Sequence, residues 1–255
     1  MTFMGRYFSG IRPVVARERR LVGSVGLLES VGMPKSDQLQ IDLDGTGEVS
    51  ALLLRPDKAR WLLLFAHGAG AGMRHPFMER LAAELAAAEI ATLRYQFPYM
   101  ELRRGRPDPP ATLTATVAAA LRTAAKVAPE LSLLAGGKSM GGRMTSEAAA
   151  QGLLPGVCGL VFFGFPLHPP KAPSTKRAAH LSKVAIPMLF LQGTRDTLAD
   201  LALLRPVTEK LGLLATLHVI ESADHGFHVP KRSGKTDEQV LTELARTAQT
   251  WAEKL

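Results

Sequence analysis

Cysteine is almost absent from the sequence, which has a single residue of this type, Cys158, among 255. One thiol excludes an internal disulfide and any zinc site built from several cysteines. Because Cys158 stands in the apolar run VCGLVFF, we expect it to be buried as a small hydrophobic side chain. The seven histidines include no H-E-x-x-H pattern, and HGFH (225–228) has no acidic cluster beside it. We therefore predict neither a metal nor a cofactor.

The sequence also lacks long apolar runs. No stretch of about 18 uncharged apolar residues occurs, so no membrane span is predicted. The N-terminal residues contain no continuous apolar segment of the kind found in signal peptides, which predicts a cytoplasmic protein.

Aromatic residues are scarce, at 6%, although the formal net charge is +8. Half of that excess lies in residues 1–36, which carry six basic and two acidic residues. The aromatic residues of this segment are confined to Phe3, Tyr7 and Phe8, and none is interleaved with the basic residues from Arg12 to Lys35, so stacking on nucleic-acid bases is not favoured. We predict a basic N-terminal leader over 1–36. It is a basic tail, a transit-like segment, or a product of translation starting upstream of Met33.

From about residue 38, short runs of Leu, Val, Ile and Phe alternate with Ala-rich stretches of helical period. This alternation predicts one α/β domain over 37–255, with a mostly parallel, doubly wound sheet and helices on both faces. Ligands bind at the carboxyl ends of the strands in such sheets. The residues that follow each apolar run are therefore the candidates for function.

The stretch GKSMG, residues 137–141, follows the predicted strand LSLLAGG and opens a predicted helix. A sharp turn between strand and helix needs small neighbours two positions from the serine, and Gly137 and Gly141 meet that need. This pattern favours Ser139 as a nucleophile, with the N–H of Met140 as one oxyanion donor. The alternative is an ordinary serine N-cap.

A second oxyanion donor is expected from HGAGAG (67–72), through the N–H of Ala69 or of Gly70. His67 is expected to stabilise this loop. A nucleotide site is not favoured, since G-x-x-x-x-G-K-[ST] is absent and no acidic residue ends the next strand.

The general base and its carboxylate partner are expected after the last two strands. His225 follows the run LHVI by a short loop, and His228 is the alternative base or a substrate contact. Asp196 follows LFLQG, with Asp200 as the alternative. The order serine, aspartate, histidine is that of the α/β-hydrolase arrangement.

These motifs resemble a known family. FAHGAGAGMRHPFM, LRYQFPYME, GGKSMGGRM, FFGFPLHPP, HLSKVAIPMLFLQGTRD and ADHGFHVPKRSG, in this order over about 38–254, are similar to the α/β-hydrolase domain of the testis-expressed-thirty type. The third subunit of the NSL chromatin complex shares this domain. Small bacterial members also resemble dienelactone hydrolases.

The resemblance implies an α/β-hydrolase fold with a minimal lid, in which Ser139 is the nucleophile, Asp196 the acid and His225 the base. Dienelactone hydrolases carry a cysteine where this chain has Ser139, so the resemblance does not extend to their substrate.

Further residues are expected to contact a substrate because they follow strand ends or lie beside the predicted triad. These are Gly70, Phe97, Tyr99, Phe165, His168 and His228.

The sequence predicts a serine hydrolase, like an esterase or thioesterase, acting on a small-molecule acyl substrate. Two alternatives belong to other classes: an interaction module on a hydrolase scaffold, and a basic nucleic-acid-binding protein. The natural substrate and the oligomeric state stay open.

Overall fold

The structure, a computed structural model, describes residues 36–255. The leader expected over residues 1–36 therefore lies outside the described residues, except for Ser36. Eight strands form one sheet: β1 (Asp37–Asp42), β2 (Glu48–Leu54), β3 (Trp61–Ala66), β4 (Ile90–Tyr95), β5 (Ser132–Lys138), β6 (Val157–Phe163), β7 (Met188–Gly193) and β8 (Ala215–Ile220).

The strands follow the order β1-β2-β4-β3-β5-β6-β7-β8 across the sheet. Strand β2 pairs antiparallel with β1 and with β4, and every other pairing is parallel. Parallel neighbours require crossover connections, which the alternating helices supply. The predicted mostly parallel sheet is confirmed.

Over residues 36–255, six α-helices accompany the sheet: α1 (Pro76–Ala87), α2 (Pro98–Glu101), α3 (Pro110–Val127), α4 (Met140–Ala150), α5 (Leu201–Leu211) and α6 (Asp237–Ala252). Apolar side chains of α1 and α6 pack on one face of the sheet, and those of α3, α4 and α5 pack on the other. The central strands are buried on both faces, which explains why their sequences are continuous apolar runs. The prediction of helices on both faces is confirmed.

The segment between β6 and β7 contains a 3-10 helix, Lys176–Lys183, and no separate domain. Over the described part of the chain, then, no additional domain is inserted above the carboxyl ends of the strands. Within residues 36–255 no helix is long and apolar enough to cross a membrane.

Cys158 departs from expectation, because the structure exposes it. Its position in β6 explains the difference. Leu133 of β5 pairs with Val157, but the next residue, Leu134, pairs with Gly159, so Cys158 has no partner on β5. An unpaired extra residue of this kind is a β-bulge, which redirects the local side chain. The apolar run predicted the strand correctly but carried no sign of the bulge.

Candidate active site

The carboxyl ends of β5, β7 and β8 meet at one edge of the sheet. Ser139 directly follows β5, Asp196 lies in the turn after β7, and His225 lies in the loop after β8. The parallel arrangement of these strands brings together side chains that are far apart in the sequence.

The backbone of Ser139 is strained, with φ 52° and ψ −119°, a conformation that residues with a Cβ rarely adopt. Gly137 and Gly141 flank the turn. A Cβ on Gly137 would lie 2.4 Å from the carbonyl oxygen of Ala66, and one on Gly141 would lie 2.5 Å from the same atom. Larger residues would push the turn away from β3. The two glycines therefore allow the close packing that presents Ser139 at the start of α4.

Ser139, His225 and Asp196 form a continuous chain of hydrogen bonds. His225 Nε2 lies 2.8 Å from Ser139 Oγ, and His225 Nδ1 lies 2.7 Å from Asp196 Oδ2. The Asp196 side chain is fully buried, whereas that of His225 is 24% exposed. A carboxylate in this position fixes the tautomer with hydrogen on Nδ1, which leaves Nε2 free to accept the serine proton. The arrangement can activate a hydroxyl for nucleophilic attack.

Asp196 is itself held by two further donors. The buried Gln192 donates through Nε2 to Asp196 Oδ2 at 2.5 Å, and the Leu198 N–H donates to Oδ1 at 2.8 Å. These bonds restrict rotation of the carboxylate beside His225. Sequence reasoning missed Gln192, although an amide within the apolar strand LFLQG was an available signal.

The alternative acid and base have other partners. Asp200 is the N-cap of α5 and accepts the Ala202 N–H at 2.8 Å. His228 Nδ1 lies 2.7 Å from Asp237 Oδ2. The structure therefore brings Asp196 and His225 to Ser139, and assigns Asp200 and His228 to other contacts.

The two expected oxyanion donors flank Ser139. Met140 begins α4, and Ala69 lines the same cavity as Ser139. Among residues 36–255, neither the Ala69 N–H nor the Met140 N–H donates to another backbone or side-chain group. The Gly70 N–H, by contrast, donates to Tyr99 Oη at 3.0 Å. The Gly70 N–H is therefore already engaged in a hydrogen bond, whereas that of Ala69 has no acceptor among the described residues.

His67 fixes the loop that carries Ala69. Its Nδ1–H donates to the Gly68 carbonyl at 2.8 Å, and its Nε2 accepts the Phe97 N–H at 3.1 Å. A proton on Nε2 would remove that acceptor. Burial lowers the pKa of His67 to about 4, although the hydrogen bond to Gly68 opposes the shift. The loop is therefore built around a neutral imidazole.

This environment predicts acid destabilisation. The unfolded chain takes up a proton at His67 near pH 6.5 and the folded protein only near pH 4. Stability from His67 is therefore complete above about pH 6.5 and is lost as the pH falls toward 4, by about 3 kcal/mol in total. Urea unfolding at a series of pH values measures this. His67→Gln should show a flatter decline, and His75→Gln, which alters an exposed histidine, should follow wild type. Parallel curves for His67→Gln and wild type would contradict the prediction.

A cavity of about 430 Å³ opens beside Ser139. Its walls are mainly apolar, and the rings of Phe77 and Phe227 stack within it at 5.8 Å between centroids and an angle of 14°. The residues that line the cavity include Ala69, Phe77, Lys138, Phe227, His228 and Leu241.

Four expected substrate contacts need correction. Phe97, Tyr99 and Phe165 are fully buried and His168 is 4% exposed, and none of them lines this cavity. Tyr99 supports Gly70, while Phe165 packs against the rings of Phe162 and Phe190 in the core.

His168 and Phe97 likewise connect loops. His168 donates through Nδ1 to the Pro169 carbonyl at 2.9 Å and accepts the Asp200 N–H at 3.1 Å through Nε2. Position after a strand predicted the correct edge of the sheet. The side chains turn toward the core, where aromatic surface is removed from water. Gly70 does not line the cavity either, and of the six residues only His228 does.

A second serine–histidine pair lies away from the cavity. Ser146 Oγ is 2.7 Å from His180 Nε2, and the same hydroxyl donates to the Arg143 carbonyl at 2.8 Å. Since its proton is already given to that carbonyl, Ser146 accepts from His180. Burial, reinforced by the charge of Arg143, lowers the pKa of His180 to about 4. The pair fastens the 3-10 helix to α4.

Across residues 36–255, no group of three or more His, Cys, Asp or Glu side chains is placed to hold a metal ion.

Comparison with known proteins identifies the family and the fold. The family model described as alpha/beta hydrolase domain matches residues 59–253. A dienelactone hydrolase from Anabaena variabilis has a TM-score of 0.68 at 24% identity, covering 86% of this chain and 97% of its own. An alpha-beta serine hydrolase homologue from Coxiella burnetii has a TM-score of 0.67 at 19% identity, covering 84% of this chain and 97% of its own. XC6422 from Xanthomonas campestris, described as an a/b serine hydrolase without lid, has a TM-score of 0.65 at 20% identity, covering 84% of this chain and 94% of its own.

Proposed function

The chain belongs to the alpha/beta hydrolase domain family, and from that premise we propose that it is a serine hydrolase cleaving small acyl esters. The observation that carries this proposal is the continuous hydrogen-bonded chain from Ser139 through His225 to the buried Asp196. In this proposal Ser139 is the nucleophile, His225 the general base and Asp196 the carboxylate that orients it.

The proposed reaction passes through an acyl-enzyme. Ser139 Oγ attacks the ester carbonyl carbon while His225 Nε2 takes the hydroxyl proton, and the N–H groups of Ala69 and Met140 hold the oxyanion. Collapse of this intermediate breaks the bond to the alcohol oxygen, which takes the proton from His225. Water then attacks the acyl group, with His225 again as base, and releases the acid and free Ser139.

The cavity favours a substrate whose acyl or alcohol group is apolar and binds between its walls. Apolar surface dominates its walls, and a volume of about 430 Å³ falls within the range of small-molecule sites. We therefore propose a carboxylesterase-like specificity. A dienelactone hydrolase from Anabaena variabilis and an esterase domain from a Rhodothermus marinus protein share the fold.

We also propose that the chain belongs to the testis-expressed-thirty type within this family, with residues 37–255 acting as one catalytic domain. The ordered motifs around Ser139, Asp196 and His225 support this assignment.

Covalent labelling tests the proposal. A fluorophosphonate should label the folded protein stoichiometrically, and mass spectrometry should place the adduct on Ser139. The same preparation should hydrolyse p-nitrophenyl esters in a series from acetate to laurate, with kcat/KM rising until the acyl chain fills the cavity. Heat-denatured protein is the negative control. Failure to label folded protein would reject the proposal in favour of a non-catalytic interaction module. An adduct on Ser146 instead would reject Ser139 as the nucleophile.

A further inference from the structure

Lys138, the residue before Ser139, is a buried cation to which the proposed reaction assigns no step. It ends β5 and is only 8% exposed. Its ammonium group donates to the carbonyl oxygen of His225 at 2.5 Å. Lysine is rarely buried without a partner, because removing its charge from water is costly. A cation at this position therefore calls for a specific role.

The environment of the ammonium group is already filled by protein. Its nitrogen lies 5.7 Å from the ring centroid of Phe77 and 5.5 Å from that of Phe227, within the range of cation–π attraction. Together with the His225 carbonyl, these rings surround the charge. Although Lys138 borders the cavity, its surroundings favour a role toward the loop of His225 over the capture of a ligand.

Lys138 also lies beside the reacting imidazole. The point that a Cβ on Gly164 would occupy is 3.1 Å from Lys138 Nζ, 3.5 Å from Asp196 Oδ2 and 3.5 Å from His225 Cε1. Three functional groups thus converge on the space that Gly164, with φ +72°, leaves open.

The charged or titratable groups that face the ammonium come from two elements. Asp196 faces it from the turn after β7, and Asp224 and His225 face it from the loop after β8. The ring of Phe77 faces it from α1, and Gly164 lies beside it after the end of β6. Burial lowers the pKa of Lys138 to about 8, and the charges of Asp196 and Asp224 oppose that shift. The amine therefore carries its proton at neutral pH.

We propose that Lys138 is a positioning residue whose ammonium group fixes the loop of His225 through its carbonyl and so keeps the imidazole within reach of the Ser139 hydroxyl. This inference rests on the proposed function of Ser139 and His225. It assigns Lys138 an effect on the base rather than on the substrate.

Histidine NMR on the full chain tests the proposal without requiring turnover. In Lys138→Met, the His225 resonances should shift and broaden at a fixed pH, because the loop that carries this residue loses its contact with the end of β5. Lys138→Arg keeps a donor to the His225 carbonyl and should stay close to wild type. Lys126→Met, which removes an exposed lysine on α3, is the matched control and should match wild type. An unchanged His225 spectrum in Lys138→Met would overturn the proposal.

Kinetics separate positioning from substrate binding. With a neutral p-nitrophenyl ester, Lys138→Met should lower kcat by about tenfold and leave KM unchanged, because the imidazole is less well positioned while the substrate contacts are kept. If instead the neutral ester were unaffected and only a carboxylate-bearing ester showed a raised KM, Lys138 would be a substrate contact and the proposal would be wrong.

Wild-type protein alone decides the question if Lys138→Met does not fold. The Lys138 side chain should show NMR cross-peaks to the rings of Phe77 and Phe227, and its ammonium protons should exchange slowly with water because they are bonded to the His225 carbonyl. Absence of both signals would reject the proposal. An inert wild type that still shows them would reject the hydrolase proposal and retain the placement of Lys138.

Discussion

A Ser139→Ala variant is expected to lose ester hydrolysis by roughly 10⁵-fold or more in kcat and to lose all fluorophosphonate labelling. The hydroxyl is the only group removed, and its oxygen lies 2.8 Å from His225 Nε2. Residual activity would come from the oxyanion donors and substrate binding alone. Steady-state kinetics with a p-nitrophenyl ester and active-site titration with the phosphonate measure the two losses.

The effect should not add to that of His225→Ala, because a nucleophile and its base act as one unit. The double variant should therefore be about as slow as either single variant. Ser146→Ala and His180→Ala supply a matched control, since these residues form a serine–histidine pair of similar length outside the cavity. They should keep hydrolysis within a few-fold of wild type. Loss of activity in Ser146→Ala with retention in Ser139→Ala would contradict the assignment.

Asp196→Asn is expected to lower kcat by about 10⁴-fold while leaving the fold intact. The carboxylate accepts three donors: Gln192 Nε2 and His225 Nδ1 at Oδ2, and the Leu198 N–H at Oδ1. In asparagine an NH₂ group replaces one of the two carboxylate oxygens, so it must face either the donors at Oδ2 or the donor at Oδ1. If the NH₂ group faces His225, the imidazole adopts the tautomer with hydrogen on Nε2 and no longer accepts the serine proton.

Two other aspartates serve as controls for Asp196→Asn. Asp200→Ala should cost about 1 kcal/mol of stability through loss of the α5 cap, without a comparable loss of kcat. Asp237→Asn removes the carboxylate beside His228 and should act mainly on that exposed contact. Kinetics and urea unfolding of all three variants distinguish these effects. If Asp200→Ala were the inactive variant, the proposed identity of the acid would be wrong.

The sequence predicted the fold and the edge of the sheet where Ser139, Asp196 and His225 meet, because the ends of parallel strands are constrained by local pattern. Apolar runs and the turn residues that end them mark the strand ends, so the three candidates were named from their positions after strands and, for Ser139, from its flanking glycines. The same rule gave wrong contacts for Phe97 and Phe165. Position after a strand does not say whether a side chain turns toward the cavity or toward the core.

The residues that line the cavity, and the contact of Lys138 with the His225 loop, could not be predicted from the sequence for a different reason. Phe77 lies on α1, Leu241 on α6, and Phe227 in the loop of His225. Their meeting depends on how two helices pack on the sheet, which no single segment specifies. Lys138 was visible beside the serine, but its contact with the His225 carbonyl spans 87 positions.

The position of β8 bears on how this protein would fail under heat. In the described residues β8 has one strand neighbour, β7, and most of its side chains are only half buried. The loop bearing His225 begins directly after this marginal strand. Local fraying at such an edge requires far less free energy than melting the whole sheet. Inactivation should then occur at a lower temperature than global denaturation. Residual turnover would therefore report whether the β8 edge is intact, and not whether the core is folded.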